Sequence, residues 1–295
     1  MFGAHLSIAG GMHNALLKAE MLGCDTVQVF TKNQQQWRCS PLTEECIKEW
    51  QQHAKRLGFK KTVSHDSYLI NLAATNNEFW RKSVELFIEE LTRCQQLGIP
   101  YLVTHPGAHM GEGDEAGITK IVAALDVIHD HVPQPLRGGA GGAGGAGVIT
   151  CLEVTAGQGS CLGCKLEHLA EIIERVKSPR RLGVCLDTAH LFAAGYDFRG
   201  VKKYAAFRRQ LAKTVGIKSV KVIHMNDSKK DLGSRVDRHE HIGRGFIGLD
   251  GFRSFVQDAA WKNVPKILET PKEGKSPDGR EWDAVNLETL RSLAE

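Results

Sequence analysis

The sequence predicts an α/β chain closed into a (β/α)8 barrel, and three observations carry that expectation. Short apolar runs alternate with amphipathic stretches of helical period, which argues for parallel strands joined by helical crossovers. Six of about eight such runs end on a histidine or a carboxylate. Six successive strand ends that face one centre require a closed sheet, because an open doubly wound sheet gathers its ligands at a single switch point.

The strands follow in order. Runs at 2–6 and 26–30 carry no obvious ligand. The next six finish at His65 (KKTVSH), His105 (PYLVTH), Glu153 (VITCLEV), Asp187 (LGVCLD), His224 (VKVIH) and Glu269 (PKILE). Between them, 43–57 sets Cys46, Ile47, Trp50 and Ala54 on one stripe, and 79–97 does the same with Val84, Phe87, Ile88 and Leu91. Stretches 166–176 and 204–215 continue the alternation. A single domain over 1–295 is expected, interrupted at 138–147 by GGAGGAGGAG, a flexible low-complexity tract. The tract precedes the fifth strand, which puts it on the helix-to-strand side, away from the active face; shortening it should leave activity intact.

Composition narrows the class. A hydrophobic content of 42% is ample for a large core, and a net charge of +4 permits a nucleic-acid partner without demanding one. The eight cysteines are scattered, the first residues show no basic leader, and no apolar stretch approaches the roughly 20 residues that cross a bilayer. A soluble, cytoplasmic protein with reduced thiols is therefore expected, with no membrane partner. Cys161 and Cys164 form the one close cysteine pair, and no second pair completes a metal site.

The chemistry lies in the strand ends. Buried carboxylates left unpaired would each cost several kcal/mol, and convergence on bound cations accounts for all six positions together. His190 follows Asp187 by three residues, and Asp237 and His239 form an Asp-x-His pair in the loop after the seventh strand, which makes nine candidate ligands. Imidazole mixed with carboxylate suits Zn²⁺ or Mn²⁺. Nine ligands exceed the needs of one or two ions and suffice for three when a carboxylate bridges. Three divalent cations outweigh four carboxylates and one hydroxide by a single positive charge, suited to a phosphodiester. His5, His13, His53, His109, His129, His131 and His168 are expected to be ordinary core or surface residues, while His241, beside the Asp-x-His pair, stays open between the two roles.

At these residues the chain resembles the endonuclease IV family of zinc-dependent apurinic/apyrimidinic endonucleases. The likeness runs through GAHLSIAGG near the start, FTKNQQQW from Phe30, SHDSYLINLA from Ser64, LEVTAGQGS from Leu152, GVCLDTAHLFAAGYD from Gly183, HMNDSKKDLGSRVDRHEHIGRGFIG from His224 and ILETP from Ile267. The resemblance implies a TIM barrel of the xylose-isomerase-like type that holds three zinc ions and cuts duplex DNA 5′ to an abasic site in base excision repair. The products would be a 3′-hydroxyl and a 5′-deoxyribose phosphate. It assigns His65 and His105 to one zinc, with Glu153 bridging to a second that Asp187, His224 and Glu269 complete. His190, Asp237 and His239 would hold the third. Glu153 and Glu269 are the implied catalytic carboxylates, Glu269 orienting the attacking hydroxide.

The family pushes side chains into the duplex at the lesion, and Tyr68 and Leu69 match two such wedges. A third wedge position, often Arg, is Gln35 here, and the usual LEN is LEV, with Val154 after Glu153. Phosphate contacts are expected from Lys32, Lys229, Lys230, Arg235, Arg238 and Arg244, and backbone donation from Asn33 and Asn226. One chain suffices for one lesion, so a monomer is expected. Two rivals remain open: a single-metal sugar isomerase or epimerase, using Glu153, Asp187, His224 and Glu269 on the same barrel, and a non-catalytic binder of damaged DNA.

Overall fold

The computed structural model describes residues 1–134 and 147–295; the Gly/Ala tract, apart from Gly147, lies outside the described residues. Seven strands, β1 (Phe2–His5), β2 (Thr26–Val29), β3 (Val63–His65), β4 (Tyr101–Thr104), β5 (Ile149–Glu153), β6 (Leu182–Asp187) and β7 (Val220–His224), run parallel. A short antiparallel hairpin follows, β8 (Asp227–Ser228) with β9 (His239–Glu240). The last strand, β10 (Lys266–Leu268), pairs with β7 on one side and β1 on the other and closes the barrel.

Helices wrap the outside, and their ends follow local chemistry. Helix Glu44–Leu57 starts where the Thr43 side chain accepts a hydrogen bond from the Cys46 amide, and it stops at Gly58, whose φ of 70° only glycine adopts without strain. Helix Asn77–Leu97 begins two residues before the expected 79 because Asn76 caps the Phe79 amide. Among the described helices, none is long and apolar enough to cross a membrane.

The barrel interior is built in layers, as the two-residue pleat requires. Val63, Val103, Cys151, Cys185, Val222 and Ile267 form an apolar cluster of their own, with Tyr101 and Ile149 packed against it. Each of the six lies two residues before His65, His105, Glu153, Asp187, His224 or Glu269, so each strand sends an apolar side chain into the floor and the next inward side chain into the mouth. On β1 and β2 the corresponding floor positions are Gly3 and Thr26, paired in register, and a Cβ on Gly3 would collide with the Thr26 carbonyl. The larger core fills the space between barrel and helices, with Trp50, Phe87, Phe252 and Phe255 buried in it. Each buried aliphatic contributes about 1.5–3 kcal/mol, which makes a floor rigid enough to fix the mouth above it.

Candidate metal centre

Glu153, fully buried at the end of β5, is the hub of the mouth. Its Oε2 lies 3.2 Å from His65 Nε2 and 3.4 Å from His105 Nε2. Its Oε1 lies 2.9 Å from His224 Nδ1 and 3.3 Å from His190 Nδ1. Glu269 Oε2 approaches His224 Nδ1 at 3.1 Å, and Asp187 Oδ2 lies 3.9 Å from the same nitrogen. On the far side, His190 Nε2 is 3.1 Å from Asp237 Oδ2, and His239 Nε2 is 3.4 Å from Asp237 Oδ1. All nine side chains singled out in the sequence meet in one pocket.

The ligating atoms fall into groups that lie within 4.8 Å of one another: His65, His105 and Glu153; Glu153, Asp187, His224 and Glu269; and Asp187, His190 and His239. Asp237, at its short distances from His190 and His239, joins the last. Hairpin β8–β9 makes this possible by folding the loop after β7 back over the mouth. Asp227 anchors that loop, its carboxylate accepting from the amides of Ser228, Gly243, Gly245 and Ile247.

The imidazoles are set up as ligands. His65 Nδ1 donates to the Asp66 carbonyl, His190 Nδ1 to the Val154 carbonyl and His239 Nδ1 to the Glu269 carbonyl, which leaves Nε2 of each ring facing the pocket as the free lone pair. His190 Nε2 and His239 Nε2 are buried and, among the described residues, make no directed hydrogen bond. Buried nitrogens without a partner are costly unless something else satisfies them, and divalent cations fit a donor set of this kind.

Charge in the pocket is strongly interlocked. Burial alone would lower His65, yet its bonds to Asp66 and Glu153 hold it well above the usual imidazole range. His190 and His224 are raised likewise against burial, by Asp187 and Asp237 in one case and by the carboxylates of Glu269 and Glu153 in the other. Burial pushes Glu153 and Glu269 up, but the surrounding imidazoles outweigh it and hold both well below the normal carboxylate value.

Several residues depart from the sequence reading. His5, expected to be ordinary, ends β1 inside the mouth, with Nδ1 3.3 Å from Glu269 Oε1, and Gln28 of β2 lies beside it. Cys185 also reaches the pocket near Glu153 and His224; burial pushes its thiol up to about 12, so it stays protonated and is a poor ligand. His241 turns away and stacks on Trp282 at 3.8 Å. Asn226, expected to meet the DNA backbone, is fully buried: its amide donates to Asp187 Oδ2 at 2.6 Å and its carbonyl accepts from the Glu269 amide at 2.8 Å. Lys32 is buried too, its ammonium bonded to the carbonyls of Asn33 and Gln36, which braces its own loop. Asn33, Gln35, Lys229, Lys230, Arg235, Arg238 and Arg244 are exposed.

Tyr68 is 65% exposed at the edge of the cluster, its ring 5.7 Å from that of His65. Leu69 is half-buried next to it. The Ser67 hydroxyl donates to the Gln34 carbonyl at 2.5 Å, tying the Tyr68 loop to the loop that carries Gln35. A cleft of about 640 Å³, lined by His5, Lys32, Tyr68, Glu269 and Lys272 among others, opens beside the centre.

Comparison with known proteins decides the family. A probable endonuclease 4 from Chloroflexus aurantiacus is 47% identical over 294 residues, covering 100% of this chain and 98% of its own. The chain belongs to the endonuclease IV family. A second probable endonuclease 4, from Geobacter sulfurreducens, is 45% identical and covers 99% of this chain and 93% of its own. The family model for the xylose isomerase-like TIM barrel matches residues 16–293. Endonuclease IV of Thermus thermophilus superposes with a TM-score of 0.82 at 34% identity, over 99% of this chain and 98% of that one. A D-tagatose 3-epimerase-like protein, at 19% identity and a TM-score of 0.70, shares the fold alone.

Proposed function

We propose that this chain is a metal-dependent apurinic/apyrimidinic endonuclease of base excision repair. It hydrolyses the phosphodiester 5′ to an abasic site in duplex DNA and leaves a 3′-hydroxyl and a 5′-deoxyribose phosphate. The observation that carries the reading is the convergence of five imidazoles and four carboxylates on one buried pocket, with ring nitrogens left free toward it. His65, His105 and Glu153 would hold one zinc, Glu153 with Asp187, His224 and Glu269 a second, and His190, Asp237 and His239 a third. Ions bound there would lower the pKa of water and stabilise the charge that develops on a phosphodiester.

The chain's own residues supply the rest. Glu153 and Glu269, both held ionised, keep acceptor oxygens in the mouth, and Glu269 is the group placed to orient a water and take its proton. Tyr68, exposed beside His65, and its neighbour Leu69 would fill the gap left by an extruded nucleotide, which costs least where the base is already missing. Exposed Arg235 and Arg238 offer salt-sensitive contacts to the backbone. A single-metal epimerase would use only Glu153, Asp187, His224 and Glu269 and would leave the other five side chains without a role.

Incubation with a duplex carrying one tetrahydrofuran abasic analogue tests the proposal. Incision that yields a 3′-hydroxyl and is abolished by chelation is expected. Binding without incision by the metal-loaded protein, or ketose–aldose conversion with no action on DNA, would overturn it.

A further inference from the structure

The two strands without a candidate ligand, β1 and β2, contribute His5 and Gln28, opposite one another in register. Gln28 is completely buried. Its Oε1 lies 2.8 Å from His224 Nε2, while its Nε2 lies 2.5 Å from Glu269 Oε1 and 2.9 Å from His5 Nδ1. These contacts allow one consistent assignment of protons. A carboxylate oxygen only accepts, so the Gln28 amide nitrogen must face Glu269 and the carbonyl must face His224. A carbonyl only accepts, so His224 carries its proton on Nε2 and turns a free Nδ1 toward Glu153, Asp187 and Glu269. His5 Nδ1 lies within reach of both the second amide hydrogen of Gln28 and Glu269 Oε1.

We propose that Gln28, backed by His5, is a positioning residue of the metal centre: one amide selects the His224 nitrogen that faces the ions and fixes Glu269 beside it. The inference rests on the metal-centre reading above. The other imidazoles with an outer partner lean on main-chain carbonyls, at Asp66, Val154 and Glu269. His224 leans on a side chain that also binds a carboxylate of the same group, so one substitution releases both. Asn226 does comparable work on the other flank, between Asp187 and the Glu269 main chain, so Glu269 is held from two sides.

The test compares the wild-type protein with Gln28→Leu and Gln28→Glu. Leucine fills the space and removes both hydrogen bonds; glutamate keeps the acceptor for His224 and sets a like charge against Glu269. Zinc content after dialysis and zinc affinity against a competing indicator are measured without DNA, with circular dichroism as the control for folding. The visible spectrum of the cobalt-substituted protein reports ligand geometry independently of activity. Expected for both variants are about a 10- to 100-fold loss in affinity for the most weakly held ion, an altered cobalt spectrum, and a fall in kcat with KM for abasic duplex nearly unchanged. If Gln28→Leu does not fold, Gln28→Glu decides alone. Folded variants with wild-type zinc affinity, cobalt spectrum and kcat would overturn the inference. A wild-type protein that binds no transition ion would instead defeat the metal-centre reading itself, so the two failures are distinguishable.

Discussion

Glu90 offers a test of how the loops at the mouth are held. It lies on helix Asn77–Leu97, 1% exposed, and its two oxygens accept from the Ser67 amide at 3.1 Å and the Thr31 hydroxyl at 3.3 Å. It therefore sits under both the loop of Tyr68 and the loop of Gln35. Burial first, and the charge of Asp66 second, push its carboxyl from 4.5 up to about 7. In the unfolded chain the group titrates near its ordinary value, so between these two values the folded state binds more protons. Its stabilising contribution is fully present below pH 4.5 and is lost as pH rises through about 7. A shift of that size corresponds to about 3 kcal/mol at roughly 1.4 kcal/mol per unit. Glu90→Gln keeps the shape, an acceptor for Ser67 and a donor for Thr31, and it does not titrate. Urea unfolding of metal-loaded wild type and variant at pH 5 and pH 8 measures the difference, and comparison at each pH cancels the shared titration of the metal centre. The variant should gain about 2.5 kcal/mol relative to wild type between those pH values, because part of the shift is already lost at pH 5. A difference between the two proteins that does not change with pH would refute the argument.

Three further outcomes are expected. Glu269→Gln should lower kcat by about two orders of magnitude or more while the circular dichroism spectrum stays native, since it removes the carboxylate proposed to take a proton from water; near-normal turnover would strip the residue of that role. Tyr68→Ala should reduce kcat/KM on abasic duplex by about 10- to 100-fold, consistent with about 1–3 kcal/mol for a lost stacking contact, with zinc content unchanged; equal activity would remove Tyr68 from DNA recognition. Arg235→Ala with Arg238→Ala should flatten the dependence of log affinity on log salt by up to about two, read by fluorescence anisotropy. An unchanged slope would show that neither guanidinium meets a phosphate.

The barrel was legible because its floor and its mouth obey one period. Val63 and His65, Val103 and His105, Cys151 and Glu153 are each separated by two, and a strand that ends apolar–x–ligand announces both layers. The helices singled out in the sequence share a narrow apolar stripe. Helix Asp114–His131 carries Ala, Ile and Val around more of its circumference, and periodicity alone does not outline it. The burial of Lys32 and Asn226 was not legible for a different reason. Sequence shows that a polar residue stands near the mouth but not whether a loop carbonyl or a ligand has already taken its hydrogen bonds, and that depends on contacts between distant segments.

His5 and Gln28 show where strand-end reasoning stops. His5 sits in a run whose last apolar residue is Leu6, so the run does not end on it, and Gln28 lies inside its run and is not an expected metal ligand. Yet register, not residue type, decides membership of the ring: Gly3 pairs with Thr26 and His5 with Gln28, one floor step and one mouth step, in phase with the other six strands. Had the two-residue step been carried backwards onto β1 and β2, the polar member of each inward row would have been His5 and Gln28. A closed barrel allows no silent strand at its mouth. A strand that brings no ligand must still fill its place in the ring, and the side chain that does so is in contact with ligands and shares control of them.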